Sequence, residues 1–365
     1  MRIGILTQPL INNYGGILQN FALQCVVKSL GHTPTTLNFA HSPLRLSPIH
    51  LAASITKRLL HRILGKNQKY INPYKEDKAI FTVAPEQQRF INKYISKVDL
   101  TNALTRQDKL VGDFDAFIVG SDQIWRPLYS PNIQNYFLDF TLKTQRKIAY
   151  AASFGTDNWE FSDELTEYAK ILLKDFDGIS VREESGIRLC KDYLECNSEH
   201  VLDPTLLLSA NDYIALLSLE EKIDLGLSTY ILDDSPSKQL AIANISEKYN
   251  LRINKLGDIR NGRFQSIEQW LNDIRNSKFI ITDSFHGTVF SILFHKQFAT
   301  FYNPERGNSR MKSLLKSVGL ESHLVETNNV NNALCHIINW DEVENKLNTM
   351  RSKSLSFLQS SINGK

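Results

Sequence analysis

Residues 278–294 read KFIITDSFHGTVFSILF, and this stretch decides the fold class of the 365-residue chain. An apolar segment ends at Thr282, a short polar turn follows, and helical periodicity begins near His286. A strand followed by a turn and a helix is the repeating unit of α/β proteins. The same pattern recurs in RIGIL (2–6), FDAFIVGSD (114–122) and GISVRE (178–183). The sequence therefore predicts an α/β protein with parallel sheets.

The length and the distribution of these units predict two domains. A single hydrophobic core rarely organises more than about 250 residues, and the strand–helix alternation restarts after VLDPTLLLS at 201–209. We predict two Rossmann-like domains, 1–203 and 204–340, facing each other across a cleft. Residues 341–365 are predicted to form a helical tail that packs back across both domains. In open α/β sheets ligands bind at the carboxyl ends of the strands, so the cleft is where a site is expected.

The composition is that of an ordinary globular protein, with 42% hydrophobic and 22% charged residues. No apolar run approaches the roughly 18 residues that span a bilayer, and the amino terminus lacks the pattern of a signal peptide, so we expect a cytoplasmic location. Cys25, Cys190, Cys196 and Cys335 show no CxxC spacing. We therefore assign no disulfide, no metal and no other cofactor, and we expect no nucleic-acid partner.

The charge is unevenly distributed, because the first 75 residues contain nine Lys or Arg and no Asp or Glu. Within this region a helical wheel separates apolar from basic side chains. The apolar side holds Ile55, Leu59, Leu60, Ile63 and Leu64, the basic side holds Lys57, Arg58, His61 and Arg62, and Lys66 and Lys69 follow. Such a helix can lie on the inner face of an anionic membrane. The alternative is that the apolar side packs on the first domain.

The turn that follows the strand in KFIITDS carries a candidate anion site. Asp283 and Ser284 precede a helix that starts near His286 and Gly287. Free backbone N–H groups at such a helix start can hold a phosphate or carboxylate, and the histidine can transfer a proton. In the alternative interpretation Asp283 and Ser284 only cap the helix.

Two arginines are candidates for binding the same anion. Arg182 ends the strand in ISVREESG, and Arg310 lies in the first turn of a helix that follows another strand. The guanidinium fork suits bidentate binding of carboxylate or phosphate. A structural ion pair with Glu183 or Glu184 is the alternative for Arg182.

Two further strand ends in the first domain carry polar residues. FDAFIVGSDQIW ends with polar groups beside an aromatic ring, which suits a sugar, and NNYGG follows the first strand without a dinucleotide-binding GxGxxG pattern. The alternative for the second is a helix cap with close packing. These candidate substrate-binding residues are Ser121, Asp122, Gln123 and Trp125 in one segment, and Asn13, Tyr14, Gly15 and Gly16 in the other.

Taken in order, the segments resemble the polysaccharide pyruvyl transferase family over roughly residues 1–325. The resemblance is carried by NYGGILQNFAL, FDAFIVGSDQIW, ISVREESG, VLDPTLLL, TDSFHGTVFSILF and SRMKSLLKSVGL. It implies a double α/β fold of the glycosyltransferase GT-B type and phosphoenolpyruvate as donor. The product implied is a pyruvate ketal, or occasionally an enolpyruvyl group, on a sugar of a surface glycan, with an acceptor that can be lipid-linked.

The resemblance also implies roles for individual residues. The family histidine corresponds to His286 and the arginine of its VRE segment to Arg182, which would be the catalytic pair. Members with an SRLHG-like segment have an arginine two residues before the histidine, where this chain has Ser284. Arg310 is our candidate for the arginine that takes its place. The first domain would then face the acceptor and the second domain the donor.

Two other functions remain open at this point. A nucleotide-sugar glycosyltransferase would have similar architecture, although no segment resembles a nucleobase-binding motif. A noncatalytic glycan-binding or scaffold protein is the second, and the presence of both His286 and Arg182 weighs against it.

Overall fold

The computed structural model describes residues 1–39, 47–63, 71–75, 82–130, 132–217, 224–260, 263–303 and 307–364. Within these ranges the chain forms two parallel sheets with helices on their faces. The predicted α/β class is therefore confirmed. Of the residues in the predicted amphipathic segment, Leu64, Lys66, Lys69 and the side chain of His61 lie outside the described part.

The first sheet has seven parallel strands in the order β3-β2-β1-β4-β5-β6-β7. The strands are β1 (Arg2–Leu6), β2 (Thr33–Phe39), β3 (Lys97–Leu100), β4 (Ala116–Val119), β5 (Arg146–Ala152), β6 (Gly178–Val181) and β7 (Glu199–His200). The strand order reverses between β1 and β4, so the connections diverge there and leave a crevice at the carboxyl ends.

The second sheet has five parallel strands in the order β14-β13-β12-β8-β9, and its order reverses between β8 and β12. The strands after β7 are β8 (Leu227–Tyr230), β9 (Ile253–Lys255), β10 (Ile259–Arg260), β11 (Arg263–Phe264), β12 (Phe279–Thr282), β13 (Gln297–Phe301) and β14 (Leu324–Val325). β10 and β11 form a separate antiparallel pair.

The helices follow the strands closely in sequence. Those in the first half are α1 (Tyr14–Ser29), α2 (Pro48–Ile63), α3 (Pro85–Tyr94), α4 (Asp163–Leu173) and α5 (Glu184–Leu194). The later ones are α6 (Ala210–Ile214), α7 (Pro236–Tyr249), α8 (Ile267–Arg275), α9 (Phe285–Leu293), α10 (Ser309–Val318), α11 (Val330–Cys335) and α12 (Trp340–Asn363). None of the helices in the described ranges is both long and apolar enough to cross a membrane.

One hydrophobic core is shared by both sheets. It includes Ile17 of α1, Trp270 of α8 and Phe290 of α9, and it extends to Phe357 of α12. Tyr14 of α1 stacks on Trp270 of α8, with ring centroids 5.3 Å apart. The two halves are therefore held together by continuous apolar packing as well as by the chain.

The last helix packs back across the molecule, as predicted. It begins beside the second sheet and ends beneath β5 and β6 of the first. The Leu202 N–H donates to Ser354 Oγ at 3.0 Å, and Arg351 Nε donates to the Leu206 carbonyl at 2.8 Å. α12 thus forms a second connection between the two halves of the chain.

Candidate functional site

The site lies where α1 and α9 meet across the crevice. The order of the first sheet reverses between β1 and β4, and α1 follows β1. The order of the second sheet reverses between β8 and β12, and α9 follows β12. The amino-terminal ends of these two helices face each other. The closest approach is between Gly15 and the His286 ring, since a Cβ built on Gly15 would lie 1.9 Å from His286 Nδ1. Only glycine at this position lets the imidazole lie against the opposite helix.

Asp203 is the centre of the polar cluster. Its Oδ2 accepts from Arg182 Nη1 at 2.8 Å and lies 3.8 Å from His286 Nε2. Its Oδ1 accepts from the backbone N–H and the hydroxyl of Thr205. Burial would raise the pKa of this carboxyl, but His286 and Arg182 hold it well below its usual range. The cluster therefore contains a permanent negative charge beside the histidine.

Arg182 is a buried guanidinium bound by two carboxylates. Besides Asp203, Asp122 accepts from its Nη2 at 3.1 Å. Burial would lower the pKa of Arg182, yet the charges of Asp122 and Asp203 raise it, and Arg182 in turn lowers the pKa of buried Asp122. Among the described residues none accepts a hydrogen bond from Nε. The alternative pair with Glu183 or Glu184 is thus replaced by a pair of aspartates, and Nε is buried without an acceptor among the described residues.

His286 carries a ring nitrogen that is buried and has no hydrogen-bond partner in the described part of the chain. This is Nε2, whose 3.8 Å separation from Asp203 suits an ion pair but exceeds hydrogen-bond length. Nε2 is therefore a nitrogen of the cluster whose hydrogen-bonding capacity no described residue uses.

The ring of Phe285 brings the second arginine to the site. The guanidinium carbon of Arg182 lies 4.5 Å from the ring centroid and that of Arg310 lies 5.9 Å from it. Arg310 is buried in the first turn of α10. The structure therefore brings Arg310 to the site although it is 128 residues from Arg182 in sequence.

A third buried carboxyl, Glu183, lies beside the arginines. Its Oε1 accepts from Ser153 Oγ at 2.8 Å and from the N–H groups of Phe154 and Gly155. Its Oε2 is buried without a hydrogen-bond partner among the described residues. Burial raises the pKa of Glu183 even though Arg182 and Arg310 oppose the shift. Glu183 is thus the carboxyl in the site that most readily carries a proton.

Asp283 supports the second sheet and does not face the cleft. Its carboxylate accepts from the N–H groups of Leu232 and Asp233, from Lys238 Nζ at 2.7 Å and from Asn303 Nδ2. Asp283 is fully buried. Its predicted contact with substrate is therefore wrong, because the backbone and Lys238 occupy the carboxylate.

Two aromatic predictions are also corrected. Trp125 is fully buried, stacks on Phe137 and donates to the Tyr136 carbonyl, so its ring offers no face to a sugar. Tyr14 stacks on Trp270 with centroids 5.3 Å apart, and its hydroxyl donates to the Gln265 carbonyl. Both rings follow strand ends, as predicted, but each is buried against another aromatic ring of the core.

The capping alternative describes two other candidates. Asn13 Oδ1 accepts from the Gly16 N–H, and Ser284 Oγ accepts from the Gly287 N–H at 3.3 Å. Both residues are helix caps, and Asn13 is exposed while Ser284 is buried. At Gly287 a Cβ would lie 2.3 Å from Thr282 Oγ1, which explains the glycine.

Ser121 and Gln123 lie at the first-domain side of the cleft. Ser121 is buried, and its Oγ lies 3.2 Å from Asp203 Oδ2, so it supports the carboxylate from behind. Gln123 is half-buried against Gly155. Of the two, Gln123 is the more exposed.

Sequence reasoning missed Asp203 and Glu183 as site residues. Asp203 lies in VLDPTLLL, which the sequence pattern indicates only as the point where one domain ends and the next begins. A lone carboxylate before proline gives no chemical signal, since its partners Arg182 and His286 are 21 and 83 residues away. At Glu183 the sequence indicates only an ion pair with Arg182.

The chain matches a known protein family in sequence and several solved structures in fold. The family model described as polysaccharide pyruvyl transferase matches residues 13–305. No curated protein sequence matches the chain. Among solved structures, UDP-GlcNAc 2-epimerase from Neisseria meningitidis bound to UDP-GlcNAc has a TM-score of 0.54 at 9% identity, covering 98% of this chain and 99% of that one. MnaA of S. aureus with UDP has a TM-score of 0.50 at 8% identity, covering 100% and 97%.

These two structures show the fold alone, at identities this low. They confirm the predicted GT-B-type arrangement of two α/β domains. The family model covers most of the chain and confirms the family predicted from the motifs.

Proposed function

We propose that this chain, which belongs to the polysaccharide pyruvyl transferase family, transfers the pyruvyl group of phosphoenolpyruvate to a sugar of a surface polysaccharide or its precursor. The observation that carries the donor assignment is the convergence of His286, Arg182 and Arg310 around Phe285. A proton-transfer group beside two guanidinium groups matches a small molecule with one carboxylate and one phosphate.

The proposed reaction forms a ketal. The methylene carbon of phosphoenolpyruvate gains a proton and becomes a methyl group, and a sugar hydroxyl attacks the central carbon. The bond from that carbon to the phosphate oxygen breaks, inorganic phosphate leaves, and a second hydroxyl of the same sugar closes the ketal as both hydroxyl protons are lost. Each step needs either a proton transfer or stabilisation of charge on the departing phosphate.

His286 is the residue that we assign to proton transfer. Its Nε2 has no hydrogen-bond partner in the described structure, and Asp203 stands 3.8 Å away to stabilise the imidazolium. Asp203 acts through His286 and Arg182, so it is a positioning residue. Burial of all three strengthens these interactions because water does not screen them.

The two arginines approach the donor from different domains in this proposal. Arg182 is already bound to two aspartates, so it offers Nε and orients the cluster. Arg310 supplies positive charge from the second domain, where the family arginine is replaced by Ser284. We therefore assign donor anion binding to both arginines together with the amino-terminal end of α9.

The acceptor is a polysaccharide or its precursor, as the family implies. We propose a lipid-linked oligosaccharide modified in the cytoplasm during capsule or exopolysaccharide synthesis. The acceptor would enter from the first-domain side, where half-buried Gln123 borders the cleft, and the donor would lie toward α9 and α10.

Incubation with phosphoenolpyruvate and candidate glycans tests the function. We expect phosphate release that depends on acceptor, and a product whose NMR spectrum shows the ketal methyl group; a vinylic methylene would identify an enolpyruvyl product instead. His286→Ala is the matched inactive control. Acceptor-dependent release of a nucleoside diphosphate from a nucleotide sugar, with phosphoenolpyruvate unused, would establish the glycosyltransferase alternative.

A further inference from the structure

Helix α2 presents its apolar side outward. Leu51, Ser54, Ile55 and Arg58 recur at the spacing of a single helix side, and all four are half-buried. The strongly exposed apolar residues lie elsewhere on the helix: Ile49 is 81% exposed, Leu59 41%, Leu60 54% and Ile63 79%. A helix that packs on a domain normally buries its largest apolar residues, so α2 has an apolar face that no described residue covers.

The spacing of the exposed residues makes this face continuous. With 3.6 residues per turn, Ile49, Leu60 and Ile63 fall within about 60° of each other, and Leu59 borders them. Ala52 and Thr56 lie within this arc and are exposed as well. The face therefore runs along the described length of the helix. The sequence pattern predicts Ile55 on this face, but Ile55 is half-buried on the same side as Leu51, Ser54 and Arg58.

Positive charge borders this face. Lys57 and Arg62 are exposed, and α2 has no Asp or Glu. The acid-free stretch reaches from the amino terminus to Lys75, which is also exposed. A second copy of the chain would bring like charges together at this face, whereas an anionic surface would neutralise them.

We propose that α2 binds the surface of an anionic lipid membrane. Ile49, Leu60 and Ile63 would enter the boundary between headgroups and acyl chains, while Lys57 and Arg62 contact anionic headgroups. The contact is peripheral, since only one face of a 16-residue helix takes part. It extends the proposed function, because a lipid-linked acceptor would be held at the same surface, but vesicle binding does not depend on that function being right.

Cosedimentation of the full chain with vesicles tests the proposal. We expect binding to vesicles of phosphatidylcholine with phosphatidylglycerol at low salt, and loss of binding with added salt or with phosphatidylcholine alone. The double substitution Lys57→Gln with Arg62→Gln should weaken binding roughly 30-fold, because each basic residue contributes about 1 kcal/mol and about 1.4 kcal/mol is tenfold. Leu60→Ser with Ile63→Ser should weaken it similarly.

Matched substitutions elsewhere on the surface serve as controls. Lys174 and Lys191 are exposed basic residues for Lys→Gln, and Leu128 and Ile337, 75% and 88% exposed, are suited to substitution by Ser. The controls should bind as the unmodified chain does, and phosphate release with a water-soluble acceptor should be unchanged in all four doubles.

Three outcomes would overturn the proposal. The first is no binding of the unmodified chain at low salt, and the second is equal weakening by the test and control doubles. The third is a concentration-dependent dimer that Leu60→Ser with Ile63→Ser abolishes, which would make α2 an interface between copies of the chain.

Discussion

Two buried clusters of carboxylate and cation lie in the two halves of the molecule, and they differ in how completely their polar atoms are hydrogen-bonded. At the second sheet, Asp283 is bound by two backbone N–H groups, Lys238 and Asn303. At the first sheet, Asp203 and Asp122 bind Arg182, but Arg182 Nε has no described hydrogen-bond partner. A carboxylate at a strand end is therefore not by itself evidence of a site.

The two clusters differ because one carboxylate binds groups of a single domain and the other faces a residue of the opposite domain. Asp283 fixes the turn from 232 to 233 and the start of α7, which are parts of one domain. Asp203 and Arg182 face His286 from the other domain, so the cluster is completed only across the cleft. We name these the scaffold cluster (Asp283, Lys238 and Asn303) and the cleft cluster (Asp203, Asp122, Arg182 and His286).

His286→Ala tests the cleft cluster with the largest expected effect. Loss of the proton-transfer group should lower kcat by roughly 10² to 10⁴. Steady-state phosphate release measures this, and thermal unfolding should show a Tm close to that of the unmodified chain. A variant with near-normal kcat would remove His286 from the mechanism and leave the cleft cluster without a catalytic role.

Asp283→Asn tests the scaffold cluster, and its effect should appear in stability. Asparagine leaves the Lys238 charge buried without its carboxylate, so the free energy of unfolding should fall by roughly 3–5 kcal/mol. Denaturant unfolding measures this loss. Turnover of the protein that remains folded should be near normal; normal stability with lost turnover would instead place Asp283 in contact with substrate.

Arg310→Ala and Arg182→Lys separate the two guanidinium groups. Loss of a charged hydrogen bond costs roughly 1.5–3 kcal/mol, so Arg310→Ala should weaken phosphoenolpyruvate binding by about 10- to 150-fold. Isothermal titration with phosphoenolpyruvate measures it.

Arg182→Lys should both weaken binding and lower stability, because an ammonium group cannot bind Asp122 and Asp203 in the same fork geometry. Normal donor binding by Arg310→Ala would show that Arg310 does not replace the family arginine.

Glu183→Gln should have the smallest effect, visible as a pH dependence. The pKa of Glu183 is raised above its unfolded value of about 4.3, so the native state resists its ionisation. As pH rises from about 4.3 through the folded pKa, the unmodified chain loses stability relative to the glutamine variant. The Tm difference, variant minus unmodified, should therefore increase from pH 4.5 to pH 8.

The hydrogen bonds to Oε1 can be retained by the glutamine carbonyl, so the fold is expected to survive this change. A Tm difference that stays constant over the pH range would mean that Glu183 ionises as readily in the folded as in the unfolded state.

The elements of the fold could be predicted from the sequence because their signals are local. The apolar runs at 279–282 and 116–119 are strands as expected, and the helix predicted at 286–294 is observed at Phe285–Leu293. In NNYGG, where a helix cap is the alternative to substrate binding, Asn13 caps the helix that begins at Tyr14. Glycines at 15 and 16 hid this start, since glycine is a poor helix former.

The site could be predicted only in part, because its contacts are between distant segments. His286, Arg182 and Arg310 stood out by side-chain chemistry, and the structure does bring them together. Whether a strand-end residue faces the cleft or the interior is set by tertiary packing. Trp125 and Asp283 were therefore misassigned, and Asp203 was missed.

The path of α12 has a consequence for how the molecule loses its structure. Because Ser354 and Arg351 bind the backbone at Leu202 and Leu206 and the apolar core is continuous, neither sheet can melt without exposing surface of the other. Chains of two domains often unfold in separate steps, but here calorimetry should record a single cooperative transition. Loss of activity on heating should coincide with that transition, since no partly melted form would preserve the cleft.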